Sequence, residues 1–547
     1  MKYFRPKIMT CMKGYTSQQF AKDVGAGILV AVIAFPLSVA LAIASGMSPE
    51  RGLYSAIIGG FFVSALGGSR VNIGGATAAT VMTVFTIIEE FGLAGLAVAS
   101  VMAGILLILM GLLRLGALLK FIPRTITLGF TAGIAMGIFS GQLKSFFGLE
   151  MGAIPVKVLD KFIAYGQVIH TIHLPTLFIG LLAIAILVFL PKVTSKIPNS
   201  LAAILVTTPV VLLGNMEVAT IKSVYGELPS HFPTFQVPEF RLEMIEELLP
   251  SAVTLAILIA IVSLLACVVT DGLTGERHDS NQELIGEGIA NIFCGFFGAV
   301  PVAGAVARAS NSVKSGGKTP IAGIVHSIAV TLILLFMMPL AGYIPMPTLA
   351  AILIMVAYNM SNWREFVYMA KHAPKSDFAV LMGTFIAGIL VDLLFAVEIG
   401  ILISAILLMR RMSSVANLRG WEYEDPEDAE VSQLNRKAVP KHTMVYELEG
   451  PFFFATVDTF MDITVTPSTK VVILRMGRVP ALDITALNSL ENFCRRCRQS
   501  HITLILSHVL DQPYQVMERA GFTEQVGEAN FCGSIDEALE RAFQLVG

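Results

Sequence analysis

From Val24 to Met409 the chain is a succession of apolar runs broken by Gly, Pro and short charged loops, and this feature limits its folds more than any other. A helix needs about 20 predominantly apolar residues to cross a bilayer. On that measure the runs fall roughly at 24–44, 52–67, 76–90, 94–115, 122–142, 174–190, 199–214, 249–271, 282–299, 304–314, 319–339, 344–360, 377–393 and 397–412. Four of them, 76–90, 304–314, 377–393 and 397–412, are too short to span alone and read as half-helices or shortened spans. Only 14% of the 547 residues are charged, against roughly a quarter in a soluble chain. The pattern predicts a polytopic α-helical membrane protein of fourteen segments.

The apolar character stops near Arg410. Beyond it, Thr443–Glu449, Lys470–Met476 and His501–Ser507 alternate as strands, and Asp483–Gln499, Gln512–Ala520 and Ser534–Leu545 read as helices. Strands separated by helices predict a small α/β domain. The expected organisation is an N-terminal segment 1–23, a membrane domain 24–412, a linker 413–436 and an α/β domain 437–547. A net charge of −2 gives no electrostatic support for nucleic-acid binding. The six cysteines imply no disulfide framework, and Met1–Asp23 lacks the pattern of a cleaved signal peptide.

With the N-terminus inside, the short inner loops carry 17 Lys and Arg and the outer loops six. That asymmetry places both termini in the cytoplasm, and the acidic loop 215–248 outside. The two halves also resemble each other. Pro36 precedes Gly75 by 39 residues, and Val262 precedes Gly304 by 42. Gly75 and Gly304 each open a small-residue run, Gly-Ala-Thr-Ala-Ala-Thr and Gly-Ala-Val-Ala-Arg-Ala. Seven segments per half would invert the second half relative to the first, and paired interrupted segments point to a midplane site.

Pro301–Thr319 is the most informative stretch. It contains Arg308 at membrane depth, where an ionisable group is costly and functional by default. A helix that starts inside the membrane turns its positive end and free N–H groups toward the cavity, so Gly75, Ala76, Thr77, Gly304, Ala305, Val306, Ala307 and Arg308 are expected to hold an anion. The alternatives are that the Gly/Ala runs are packing surfaces, and that Arg308 snorkels or pairs with Asp271 or Glu287. Glu287, Asp392 and Glu398 are carboxylates that could couple transport to a cation, or lie in loops. Ser315-Gly-Gly-Lys-Thr319 lacks the first Gly of a phosphate-binding loop, with Ser312 in that place. Cys494-Arg-Arg-Cys497 lies within one predicted helix and reads as packing.

Several blocks resemble the sulfate permease (SulP) anion transporters: Asn281-Gln-Glu-Leu284 followed by Gly286-x-Gly288-x-x-Asn291; Ala307-Arg308-Ala-Ser-Asn311 with Gly316-Gly-Lys-Thr-Pro320; Gly67-Gly-Ser-Arg70 followed by Gly74-Gly-Ala-Thr77; and, in the tail, Glu449-Gly-Pro-Phe-Phe-Phe-Ala455 and Ala481-Leu-Asp-Ile-Thr485, as in a STAS domain. The resemblance covers nearly the whole chain. Within the family the nearest likeness is to bacterial dicarboxylate carriers, especially over 262–320, with bicarbonate and sulfate carriers next. It implies a seven-plus-seven, uracil-transporter-like inverted repeat in the inner membrane, with core (segments 1–4 and 8–11) and gate (5–7 and 12–14) domains and a cytoplasmic STAS domain. It further implies a small inorganic or dicarboxylate anion between the half-helices, Phe35 among the lining residues, possible Na+ or H+ coupling, a homodimer, a possible protein partner for the STAS domain, no cofactor and no catalytic role. Two departures stand out. Val262 replaces the acidic residue many bacterial members use for coupling, leaving Glu287 and Asp271 as candidates. Ala307 replaces a hydroxyl-bearing residue. Thr485 occupies the position that is phosphorylated in some soluble STAS proteins.

Overall fold

A computed structural model describes residues 5–12, 14–117, 123–152, 154–194, 197–390, 393–415, 417–421, 439–456, 463 and 466–546. Of the residues singled out above, Asp392 and most of the expected linker 413–436 lie outside them. The chain divides into two compact units, Met1–Ile401 and Leu402–Gly547.

The first unit is helical. Helices α1 (Lys7–Cys11), α2 (Ser17–Ala44) and α3 (Pro49–Leu66) lead into strand β1 (Gly74–Gly75), a 3-10 turn at Ala78–Thr80 and α4 (Val81–Leu112). Then come α5 (Arg124–Phe147), α6 (Val158–Val168), α7 (Leu174–Val193), α8 (Asn199–Leu213) and α9 (Ile221–Tyr225). The second half opens with α10 (Leu242–Thr274) and α11 (Ser280–Phe296), followed by strand β2 (Ala303–Gly304) and α12 (Val306–Lys314). It closes with α13 (Ile321–Ala341), α14 (Met346–Ser361), α15 (Trp363–His372), α16 (Lys375–Leu390) and the start of α17 (Leu393–Val415), which continues into the second unit. Among the described residues, six stretches are long and apolar enough to cross a membrane: α2, Ala78–Leu112, α5, α7, α10 and α13. The runs expected at 76–90 and 94–115 join into α4, which breaks at Gly92 (φ 68°, ψ −171°). Only a residue without a Cβ takes that conformation cheaply, so Gly92 turns the chain back. The amphipathic α6 and α15 were not expected from the apolar pattern, because neither is apolar enough to register as a span.

The helices pack as two groups. In one, α4 lies against α10 and α11, and α2 lies against α3 and α13. In the other, α5 lies against α7, α14 and α16. Glycines permit close approaches in the first group: a Cβ on Gly104 would lie 2.5 Å from the Gly288 carbonyl oxygen, and one on Gly288 2.5 Å from that of Gly104. With no hydrophobic drive between helices in lipid, such backbone contact supplies the packing energy.

The second unit carries a five-stranded sheet in the order β3-β4-β5-β6-β7, with β3 (Asn417–Trp421) antiparallel to β4 (Thr443–Glu449), and β5 (Val471–Arg478), β6 (Thr503–Ser507) and β7 (Phe531–Cys532) parallel. Helices α18 (Ile484–Gln499), α19 (Asp511–Arg519), α20 (Phe522–Val526) and α21 (Ile535–Val546) connect and cover it. Strand β3 falls inside the expected linker 413–436, and β7 was also missed; edge strands of five and two residues are too short to show alternation. Asp483 caps α18, its side chain accepting from the Ala486 amide at 2.8 Å. Cys494 and Cys497 pack into the core between α18 and the sheet. Burial pushes both thiols up, Cys497 to about 12, as in a packing role rather than a reactive one. Thr485 is exposed in the first turn of α18.

Candidate functional site

The two small-residue stretches meet. β1 and β2 pair antiparallel, with Gly74 opposite Gly304 and Gly75 opposite Ala303. Each strand is only two residues long because a helical turn starts directly after it. The result is two chain crossings in mid-protein whose helices, beginning at Ala78 and Val306, lead away from the strand pair. Ala305, the N-cap of α12, offers no side-chain acceptor, so the first N–H groups of that helix remain available.

Arg308 extends from α12 across the strand pair. Its Nη2 donates to Ser38 Oγ on α2 at 3.1 Å and to the Ala76 carbonyl at 3.3 Å. The residue is 2% exposed, and neither Nε nor Nη1 has a partner. A Cβ on Gly75 would lie 1.6 Å from Nη1, so only glycine leaves room for the guanidinium there. No ion pair to Arg308 occurs among the described residues. Asp271 is instead occupied at the end of α10, where it accepts from the His278 backbone at 3.1 Å and pairs with His278 Nδ1 at 2.6 Å. The pairing of Arg308 with Asp271 or Glu287 that the sequence left open is therefore not what is observed.

The other expected residues divide. Thr77 and Phe35 are buried, Ala305 is half-buried, and Val306 and Ala307 are exposed in the first turn of α12. Val262 is half-buried on α10, next to Ser263, whose Oγ accepts from the Gly304 amide at 2.9 Å. Glu287 on α11 is fully buried, faces Ser263 and Gly304, and has neither carboxyl oxygen hydrogen-bonded. Glu398 is exposed.

A polar frame that the sequence did not reveal holds the crossing in place. Asn291 brackets the residue before β2, donating to the Val302 carbonyl and accepting from its amide, both at 2.9 Å. Glu283, fully buried, accepts from the amides of Gly68 and Ser69 at 2.6 and 2.8 Å and from Asn72 Nδ2 at 2.6 Å, fixing the approach to β1. Asp23, fully buried in α2, accepts from the Lys318 amide at 2.8 Å and Thr319 Oγ1 at 2.6 Å, fixing the exit from α12. The Ser315–Thr319 turn, superficially a phosphate loop, thus serves as the anchor of a carboxylate. Glu283 and Asn291 fall within blocks quoted above for the family resemblance, but nothing local marked either as an anchor.

A crossing with one uncompensated guanidinium and free helix N–H groups favours an anion. The chain matches the model of the sulfate permease family over residues 20–384 and that of the STAS domain over 435–538. It is 37% identical to "Putative sulfate transporter YvdB" of Bacillus subtilis, over 96% of this chain and 98% of that one. It is 28% identical to "Bicarbonate transporter BicA" of Picosynechococcus, over 95% and 94%. The transmembrane domain of a cyanobacterial bicarbonate transporter BicA superposes with a TM-score of 0.65 at 29% identity, over 70% of this chain and 98% of that one. The murine Slc26a9 anion transporter in the inward-facing state superposes at 0.86 and 18% identity, over 98% and 94%, which is a likeness of fold. The chain belongs to the sulfate permease family.

Proposed function

We propose that this protein is a secondary transporter of small oxyanions, with the anion held between the Arg308 guanidinium and the helix starts at Gly75–Thr77 and Gly304–Ala307. The observation that carries the reading is a fully buried arginine with two unpartnered nitrogens and no carboxylate partner among the described residues. Fourteen segments in two inverted halves, with cytoplasmic termini, fit the charge asymmetry and the antiparallel meeting of β1 with β2. The group containing α2, α4 and α10–α13 would rock against that containing α5, α7, α14 and α16, exposing the anion to either side. Relatives named for sulfate and bicarbonate favour those substrates; the resemblance to dicarboxylate carriers keeps fumarate in the panel.

Coupling is the part most altered in this chain. With Val262 in place of an acid, and Asp271 engaged by His278, Glu287 is the remaining buried carboxyl near β2. We infer transport that depends only weakly on a proton or sodium gradient.

The test is uptake of labelled sulfate, bicarbonate and fumarate into proteoliposomes by the wild type and Arg308→Ala. A charge-assisted hydrogen bond contributes about 1.5–3 kcal/mol, so the variant should bind the carried anion at least about tenfold more weakly. Its melting temperature without anion should not fall, because an unpaired buried charge is removed. Unchanged flux in Arg308→Ala would refute the site. A STAS-based sensor, the alternative, requires that the wild type carry none of these anions.

A further inference from the structure

A cavity of about 600 Å³ opens where the two helix groups face each other. Ile43, Val81 and Met82 of α2 and α4 line one side; Gly141, Gln142 and Lys161 of α5 and α6 line the other. Its floor is the first turn of α4, and Met82 lies five residues beyond Thr77, or about 8 Å along a helix. The cavity wall thus lies near Thr77 along the chain, and Arg308 is not among the residues that line it.

Lys161 is unusual there. It is 3% exposed, yet its ammonium meets no carboxylate among the described residues; its neighbour is the Met82 thioether, at 4.0 Å from Nζ. A Cβ on Gly141 would lie 3.9 Å from the same Nζ. Both flanking residues line the cavity, so the ammonium is held at its wall between the two helix groups. A thioether is a poor substitute for water around an ammonium, and a leucine or methionine would fill the space without that cost. The other cation on this wall, Lys144, donates to the Gly152 carbonyl at 2.8 Å.

We propose that Lys161 is a second anion-binding group, which holds an oxyanion in this cavity as a station before the Arg308 site. The proposal rests on the transport reading above. An anion there would touch α6 on one group and α4 on the other, and so bridge the surfaces that must slide. Burial lowers the Lys161 ammonium to about 8. The positive form is thus complete below that value and is lost as pH rises through it, and binding an anion would favour the protonated form. Other charged groups do not replace it. Glu150, His173, Glu217 and Tyr225 line the same cavity with Lys144. Tyr165, on α6 itself, donates to the Ser140 carbonyl at 2.8 Å. Glu89 and Glu90 lie about two turns beyond Met82 on α4. α16 approaches α6 through Gly388 and Ile389, with its Lys375 and Asp377 at the far end.

The experiment measures initial uptake against concentration in proteoliposomes for wild type, Lys161→Met, Lys161→Gln and Lys161→Arg, using whichever of labelled sulfate, bicarbonate or fumarate the wild type carries. Lys161→Met and Lys161→Gln should raise KM about tenfold with kcat changed less than about twofold, while Lys161→Arg keeps the wild-type KM. With sulfate or fumarate, whose charge is constant over about pH 7 to about 9.5, wild-type KM should rise several-fold across that range and the Lys161→Arg KM should stay flat. An unchanged KM in both neutral variants would overturn the proposal, as would an equal alkaline rise in Lys161→Arg. A lowered kcat at constant KM would mark Lys161 as structural and overturn it too. If the wild type carries no anion, the transport reading fails and this station falls with it. If Arg308→Ala abolishes transport while the Lys161 variants behave as wild type, only the station fails.

Discussion

Arg308 and Gly75 make sense only as a pair. The guanidinium occupies the volume a side chain at position 75 would need, and its bonds to Ser38 and the Ala76 carbonyl leave Nε and Nη1 without partners. Two buried carboxylates are by contrast matched to donors: Asp23 and Glu283 each accept several hydrogen bonds. The contrast separates carboxylates that anchor from an arginine with two nitrogens left without partners. Position 262 offers a second residue-scale test. Its neighbour Ser263 binds the Gly304 amide, so an acid at 262 would stand within one residue of β2. Val262→Glu or Val262→Asp should confer or strengthen stimulation by a sodium or proton gradient, read as flux at fixed anion concentration with and without the gradient. Strong stimulation already present in the wild type would contradict the expectation.

At the scale of elements, the crossing depends on anchors outside itself. β1 and β2 are two residues each and share one antiparallel register, far too little to hold a sheet alone. Asn291, Ser263, Glu283 and Asp23 supply the remainder from α11, α10 and α2. Glu283→Ala would leave the Gly68 and Ser69 amides and Asn72 Nδ2 buried without that acceptor, at about 1–3 kcal/mol each. We expect a melting temperature in detergent lowered by many degrees, with anion stabilisation also weakened because the approach to β1 loosens. A variant as stable as wild type would show that water or a neighbouring group takes over the donors. These anchors escaped the sequence reading for a physical reason: Glu283 lies more than 200 positions from the amides it holds, and Asp23 nearly 300 from Thr319. Nothing local distinguishes such a carboxylate from one in a loop, and the same applies to Lys161, which counts as an ordinary loop cation until its burial is known.

For the whole molecule, two compact units with different chemistry predict separable behaviour. A chain ending at Val415 should still carry anion in proteoliposomes, and residues 413–547 alone should fold as a soluble α/β domain with a single cooperative melt by circular dichroism. Starting that piece at 437 would remove β3, the antiparallel edge strand, and expose the edge of β4. Loss of all flux on truncation would tie transport to the second unit. The sequence by itself determined the class of the molecule: long apolar runs can only be satisfied as helices in a membrane, alternation beyond Arg410 specifies a sheet, and small residues beside an arginine mark a place where backbone and charge come close together. Those are local properties, set by solvation and by side-chain size. Only the tertiary structure decided that Arg308 has no counter-charge among the described residues, that Asp271 belongs to His278, and that Lys161 stands at a cavity wall. Each of those depends on which distant segment supplies, or fails to supply, the opposite partner, and that is a property of packing alone.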